Sequence, residues 1–130
     1  MADVPSGLKY TKEHEWARVE GNRVTVGITQ HAVDALGDII LVSVDAKLGA
    51  ALTANKVFGV VESTKSVSDL FSPIGGTVVA INEALKDAPE KVNEAPYGDG
   101  WMIVIETAGT SSELDGLMDE AADGAFLGTL

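Results

Sequence analysis

Short apolar runs, several alternating with polar residues, recur along the chain between Gly, Asn, Asp and Pro, the pattern of brief β-strands joined by tight turns. Arg23-Val24-Thr25-Val26-Gly27-Ile28 follows a Glu20-Gly21-Asn22 turn and sends Val24, Val26 and Ile28 to one face. A run from Asp38 to Val44 follows Gly37, and one from Val57 to Glu62 follows Asn55, a residue that tolerates a left-handed turn. Runs over Gly76 to Ile81 and Trp101 to Glu106 complete the set. Five or six strands at this spacing predict a mostly β fold, a small sandwich or barrel.

Two segments carry helical spacing instead. Thr29 is placed to cap a short helix over 30–36, with Ala32, Val33, Ala35 and Leu36 apolar and Gly37 at its end. Ser112 is placed to cap a second, C-terminal helix over about 112–123, where Leu114, Leu117, Met118 and Ala121 form one stripe that would pack on the sheet. The tail around Phe126 and Leu127 fits no pattern. With no linker or low-complexity tract, the chain reads as one domain over 1–130 with its core at about 8–106. The runs at 24–28 and 57–61 resemble each other and suggest an internal duplication, although valine-rich strands resemble one another by composition alone.

Charge and composition narrow the function. The 130 residues carry 20 acidic against 9 basic side chains, a formal charge of −11, and no cysteine. Such an acidic chain repels phosphate, and its cations do not cluster, so a nucleic-acid role is not expected. A thiolate metal site, a disulfide framework and a cysteine nucleophile are excluded. The longest apolar runs fall far short of the roughly 20 residues a membrane-spanning helix needs, so no membrane role is expected. The N-terminal Met1-Ala2-Asp3-Val4-Pro5 lacks the marks of a targeting or myristoylation signal. A cytoplasmic protein is expected if the source is bacterial, and a mitochondrial-matrix one only if a transit peptide has been removed.

One stretch stands out chemically. Gly59 to Gly76 runs from an apolar strand through small polar residues to a second apolar strand ending at Pro73, with Lys65 in the middle of the polar part. Ser63, Thr64, Ser66 and Ser68 leave the lysine unshielded, while Glu62 and Asp69 flank it. The residues alone leave two readings, a solvated turn lysine or one offered to a modifying enzyme. His14 and His31 have no acidic partner at i+4 and give little support for a zinc site. No phosphate loop, dinucleotide fingerprint or nucleophile elbow is present, and no carboxylate pair is singled out, so neither a catalytic constellation nor a metal site is expected.

Val61-Glu62-Ser63-Thr64-Lys65-Ser66-Val67-Ser68-Asp69 resembles the lipoyl attachment site of the H protein of the glycine cleavage system. Further blocks resemble that family in the same order: Leu8 to Trp16, Gly27 to Ala32 with Ala35 to Asp38, Val92-Asn93, and Pro96 to Trp101. The resemblance implies a flattened barrel-sandwich hybrid of two pseudo-symmetric antiparallel sheets, like other lipoyl and biotinyl domains, with Lys65 at a hairpin tip. It implies that Lys65 carries lipoate in amide linkage, with Glu62, Ser63 and Asp69 recognised around it. The protein is then a carrier and not an enzyme. Its lipoyl group accepts an aminomethyl unit from a pyridoxal-phosphate glycine decarboxylase, yields the methylene to a tetrahydrofolate-dependent aminomethyltransferase, and is reoxidised by dihydrolipoyl dehydrogenase; lipoylating enzymes are further partners.

The loaded arm is expected to fold into a surface cleft that excludes water, with Glu15 and Asp69 pairing with the ammonium and His31 beside them. Trp101 is expected in the core. A lipoyl domain of another complex and an H-like protein that stores or relays lipoate are alternatives, although Thr64 and Ser66 replace the methionines usual around a biotinyl lysine. An unmodified acidic binding module is a further alternative. The chain departs from the family at Asp45 to Gly49, where a Leu-Pro turn is usual, at Asn55, where glycine is usual, and at Lys91, where an apolar residue is usual.

Overall fold

The computed structural model describes residues 8–11, 14–53 and 56–107. Along the chain the elements are β1 (Lys9–Tyr10), β2 (Glu15–Glu20), β3 (Arg23–Ile28), α1 (Gln30–Leu36), β4 (Ile39–Val44), β5 (Ala51–Leu52), β6 (Val57–Ser63), β7 (Val67–Phe71), β8 (Gly76–Ile81), α2 (Ala84–Asp87), α3 (Lys91–Glu94) and β9 (Ile103–Glu106). They form a six-stranded sheet in the order β1-β2-β3-β9-β8-β5 and a three-stranded sheet in the order β4-β6-β7, both antiparallel throughout. This is the expected mostly β architecture of two antiparallel sheets, with unequal strand numbers.

The alternation read from the sequence builds the core. Val24, Val26 and Ile28 of β3 bury beside Ile103 and Ile105 of β9 and Val78 of β8, and meet Val42, Phe58, Val61 and Leu70 of the three-stranded sheet. Each such aliphatic side chain contributes roughly 1.5–3 kcal/mol by leaving water. A second cluster, Leu8, Tyr10 and Trp16, lies apart from this core, and Tyr97 and Trp101 pack against it half-buried. Trp101 is thus a flank of a satellite cluster and not a member of the main core. Gly27 permits this arrangement, because a Cβ there would stand 2.7 Å from the Trp16 indole.

Helix α1 forms as its caps dictate. The Thr29 hydroxyl accepts the Ala32 N–H at 3.2 Å, and Gly37, at φ 83°, returns its own N–H to the Val33 carbonyl at 2.8 Å. Val33 enters the core, with Ala32 and Leu36 packed against it.

Several elements had no clear sequence signal. In β2 the charges of Glu15, Arg18 and Glu20 interrupt any alternation, and β1 and β5 are two residues each. The strand expected from Trp101 begins at Ile103, since the Trp101 N–H closes a turn onto the Gly98 carbonyl. The runs at 24–28 and 57–61 fall in different sheets. Asp45 to Gly49 forms a turn tied by the Asp45 and Ala46 N–H groups to the Phe58 carbonyl, with Gly49 at φ 82°. Lys91 opens α3, whereas Asn55 and the C-terminal helix expected at 112–123 lie outside the described residues.

Candidate functional site

Strands β6 and β7 pair from Glu62↔Val67 back to Val57↔Phe71, so the polar stretch of the sequence is already strand from Val67 onward and the tip narrows to Thr64, Lys65 and Ser66. Ser63 organises that tip. Its hydroxyl oxygen accepts the N–H groups of Lys65 at 3.2 Å and Ser66 at 3.1 Å and donates to the Ser66 carbonyl at 3.3 Å. The Ser63 N–H closes the same loop onto the Ser66 carbonyl at 2.8 Å. A small hydroxyl side chain is what this turn requires, because it serves two backbone donors within one residue's reach. Ser63 is buried while Lys65 is exposed.

The tip also rests on the body of the protein. The Thr64 N–H donates to the Asp38 carbonyl at 3.1 Å, in the corner between α1 and β4. Asn93 of α3 holds that corner from the other side. Its amide donates to the Gly37 carbonyl at 2.9 Å, and its side-chain oxygen accepts the Ile39 N–H at 2.8 Å. The Lys65 side chain lies over Gly37, where a Cβ would stand 3.4 Å from Cε. Among the described residues Lys65 has no ion-pair partner. The lysine is therefore fixed at its backbone and open at its amine.

Glu62 and Asp69 stand where the sequence placed them, on β6 and β7 near the tip, Glu62 half-buried and Asp69 exposed. Glu15 departs from the expectation of a cleft-facing carboxylate. It is 1% exposed; one carboxylate oxygen accepts the Phe71 N–H at 2.8 Å and the other the Thr11 hydroxyl at 3.0 Å. A buried carboxylate is tolerated here because both oxygens are engaged. Glu15 thus ties β2 to the far end of β7 and positions the strand that carries Asp69.

His31, on the first turn of α1, packs against His14 with ring centroids 4.4 Å apart and the rings tilted by 46°. Nothing in their spacing along the chain shows this contact, which forms with His14 in a left-handed turn at φ 66°. The Pro96 to Trp101 block has a supporting role. The Trp16 indole N–H donates to the Pro96 carbonyl at 2.9 Å, Arg18 donates to the Tyr97 carbonyl, and the Tyr97 hydroxyl accepts the Gln30 N–H at 2.9 Å. Asn93 and Tyr97 were legible only as parts of family-like blocks, because a long-range side-chain clamp has no local sequence signal. Among the described residues no group of three or more metal-ligating side chains occurs.

A lysine held out on a braced hairpin of a two-sheet fold is what a carrier, a protein that presents a side chain for other proteins to act on, requires. The family described as Glycine cleavage H-protein matches residues 8–128. The chain is 53% identical over 128 residues to the glycine cleavage system H protein of Myxococcus xanthus, covering 98% of each, and 56% identical over 115 residues to that of Anoxybacillus flavithermus, covering 88% of this chain and 89% of that one. A crystal structure of a glycine cleavage system H protein from Mycobacterium marinum matches with a TM-score of 0.84 at 34% identity, over 98% of this chain and all of that one. The chain belongs to the glycine cleavage H-protein family, the lipoyl carriers of glycine cleavage.

Proposed function

We propose that Lys65 is the attachment point, bearing lipoate in amide linkage, and that the protein thereby passes an aminomethyl unit from a pyridoxal-phosphate glycine decarboxylase to a tetrahydrofolate-dependent aminomethyltransferase. Dihydrolipoyl dehydrogenase and a lipoylating enzyme complete its set of partners. The observation that carries the reading is the tip itself: an exposed lysine whose backbone is fixed by Ser63 and Asp38 and whose amine is unopposed. The residues fit the group, because Lys65 is exposed and crosses Gly37, which has no side chain to stand in the way of an acyl group on its amine. Bound lipoate supplies a dithiolane that takes up and releases a group and two electrons.

The chain's own residues present that arm. Ser63 and the Asp38 corner hold its root, Glu15 fixes β7, and Asp69 is the carboxylate placed to pair with an ammonium on the loaded arm. Residues 1–130 act as one carrier domain. The relatives cited are bacterial, and no helix among the described residues is long and apolar enough to cross a membrane. We place the protein in the cytoplasm because those relatives are bacterial.

Intact mass of protein made with lipoate supplied, followed by peptide mapping across Val57 to Phe71, tests the attachment. The expected result is a lipoyl increment on Lys65; an unmodified Lys65 in a host that lipoylates its other carriers overturns the reading. For Asp69 the expected result is a loaded Asp69→Asn protein that loses its group to water about fivefold faster, matching the roughly 1 kcal/mol of an exposed charge pair. An unchanged lifetime removes that role.

A further inference from the structure

The outer face of the three-stranded sheet carries more exposed apolar surface than the fold requires. Among the described residues six large hydrophobic side chains are exposed, and three of them, Ile40 at 57%, Leu41 at 42% and Val67 at 61%, gather on this face beside Lys65. Their proximity follows from strand register. Leu41 pairs with Glu62, and Glu62 pairs with Val67, so the three side chains form one row across β4, β6 and β7 on the side away from the core. A β-bulge between Ile39 and Leu41 turns Ile40 outward as well, next to Leu41. Bulges re-aim side chains in this way at functional edges. In the next row Ser43, Val60 and Asp69 are paired neighbours, so Glu62 and Asp69 set two carboxylates within the apolar patch.

Scattered exposed hydrophobics need no explanation, but a set gathered on one face and interleaved with like charge marks an interaction surface. We propose that Ile40, Leu41 and Val67, with Glu62 and Asp69 among them, form the docking face for the enzyme that acylates Lys65, and that the enzyme surface they meet is apolar, with basic side chains opposite Glu62 and Asp69. This rests on the reading of Lys65 as acylated. Reach selects that enzyme over the others. The bare amine extends one lysine side chain beyond the backbone, so an acylating active site must press against the tip and the faces next to it. An enzyme that meets the finished arm works at its far end and needs no contact with β4. Charge selects the basic groups, because the protein is strongly acidic and Lys65, the cation at the tip, is the one consumed.

The test uses unmodified full-length protein and a purified lipoate ligase supplied with lipoate and ATP. Acylation rate is measured against carrier concentration, and affinity of the unmodified carrier for the ligase by calorimetry. Leu41→Ser and Val67→Ser are each expected to raise KM about tenfold with kcat little changed, and to weaken binding in parallel, as truncation of central interface side chains does. Leu48, 64% exposed in the turn that follows the far end of β4, provides the control: Leu48→Ser keeps the wild-type KM. Wild-type KM and affinity in the Leu41 and Val67 variants, with thermal midpoints unchanged, overturn the proposal. So does an equal loss in Leu48→Ser. A wild-type chain that the ligase does not acylate at all overturns the underlying reading of Lys65, an outcome seen without any variant.

Discussion

Lys65→Arg is expected to abolish glycine-dependent turnover in a system reconstituted with the other components, with no residual lipoyl increment by mass. Arginine keeps the positive charge and most of the length, but its guanidinium stays protonated and delocalised at any relevant pH, so it offers no nucleophilic nitrogen for an amide bond. The fold is expected to be indifferent. Lys65 is exposed, its backbone bond to Ser63 does not involve the side chain, and that side chain lies over Gly37. The thermal midpoint is therefore expected within about 2 °C of wild type, as for surface substitutions that shift stability by less than roughly 0.5 kcal/mol. Turnover retained by Lys65→Arg would return the protein to the class of unmodified binding modules.

A large stability effect is expected at Gly59, in the central strand of the smaller sheet. A Cβ there would stand 2.3 Å from the Ser43 carbonyl oxygen and 3.0 Å from the Val44 Cα. Both are backbone atoms of β4, and Gly59 is paired with Val44 on one side and Leu70 on the other, so relief requires parting the ladder. Gly59→Ala is expected to cost about 3 kcal/mol, the upper range for overpacking, and to lower the midpoint by roughly 10 °C. Gly98→Ala is the comparison, because its Cβ would meet the Ala95 Cβ at an ordinary 3.6 Å. It is expected to change stability by less than about 0.5 kcal/mol. Equal losses at the two positions would show that loss of glycine's flexibility, and not the close approach of β4, sets the cost.

Which parts of this molecule could be read from the chain depends on the range of the interaction. Helix α1 was legible to its caps because Thr29 and Gly37 act on backbone groups within four residues of themselves. Strand β3 was legible because one buried face leaves a two-residue period, and β4, β6 and β8 because short apolar runs stand between turn residues. The short β1 and β5 have no room for a period, and in β2 the buried Glu15 inverts the expected polarity. At the site, small residues around Lys65 announced an open tip, but the Asp38 carbonyl, Asn93 and the buried carboxylate of Glu15 act across the fold. Their partners are known only once the strands are in register. The apolar row of Leu41 and Val67 was hidden likewise, since each looks like an ordinary strand residue until Glu62 is found between them.

The brace behind the tip has a consequence for when the protein becomes a substrate during its own synthesis. The hairpin that carries Lys65 is local and can zip as soon as Phe71 has left the ribosome, on the microsecond scale of hairpin formation. The Asp38 corner beneath Thr64 is fastened by Asn93, which emerges 28 residues after the lysine. A nascent chain ending before that residue has the lysine but not the seat that aims it. If Lys65 is acylated as proposed, efficient acylation is expected only once the chain has been made through Asn93.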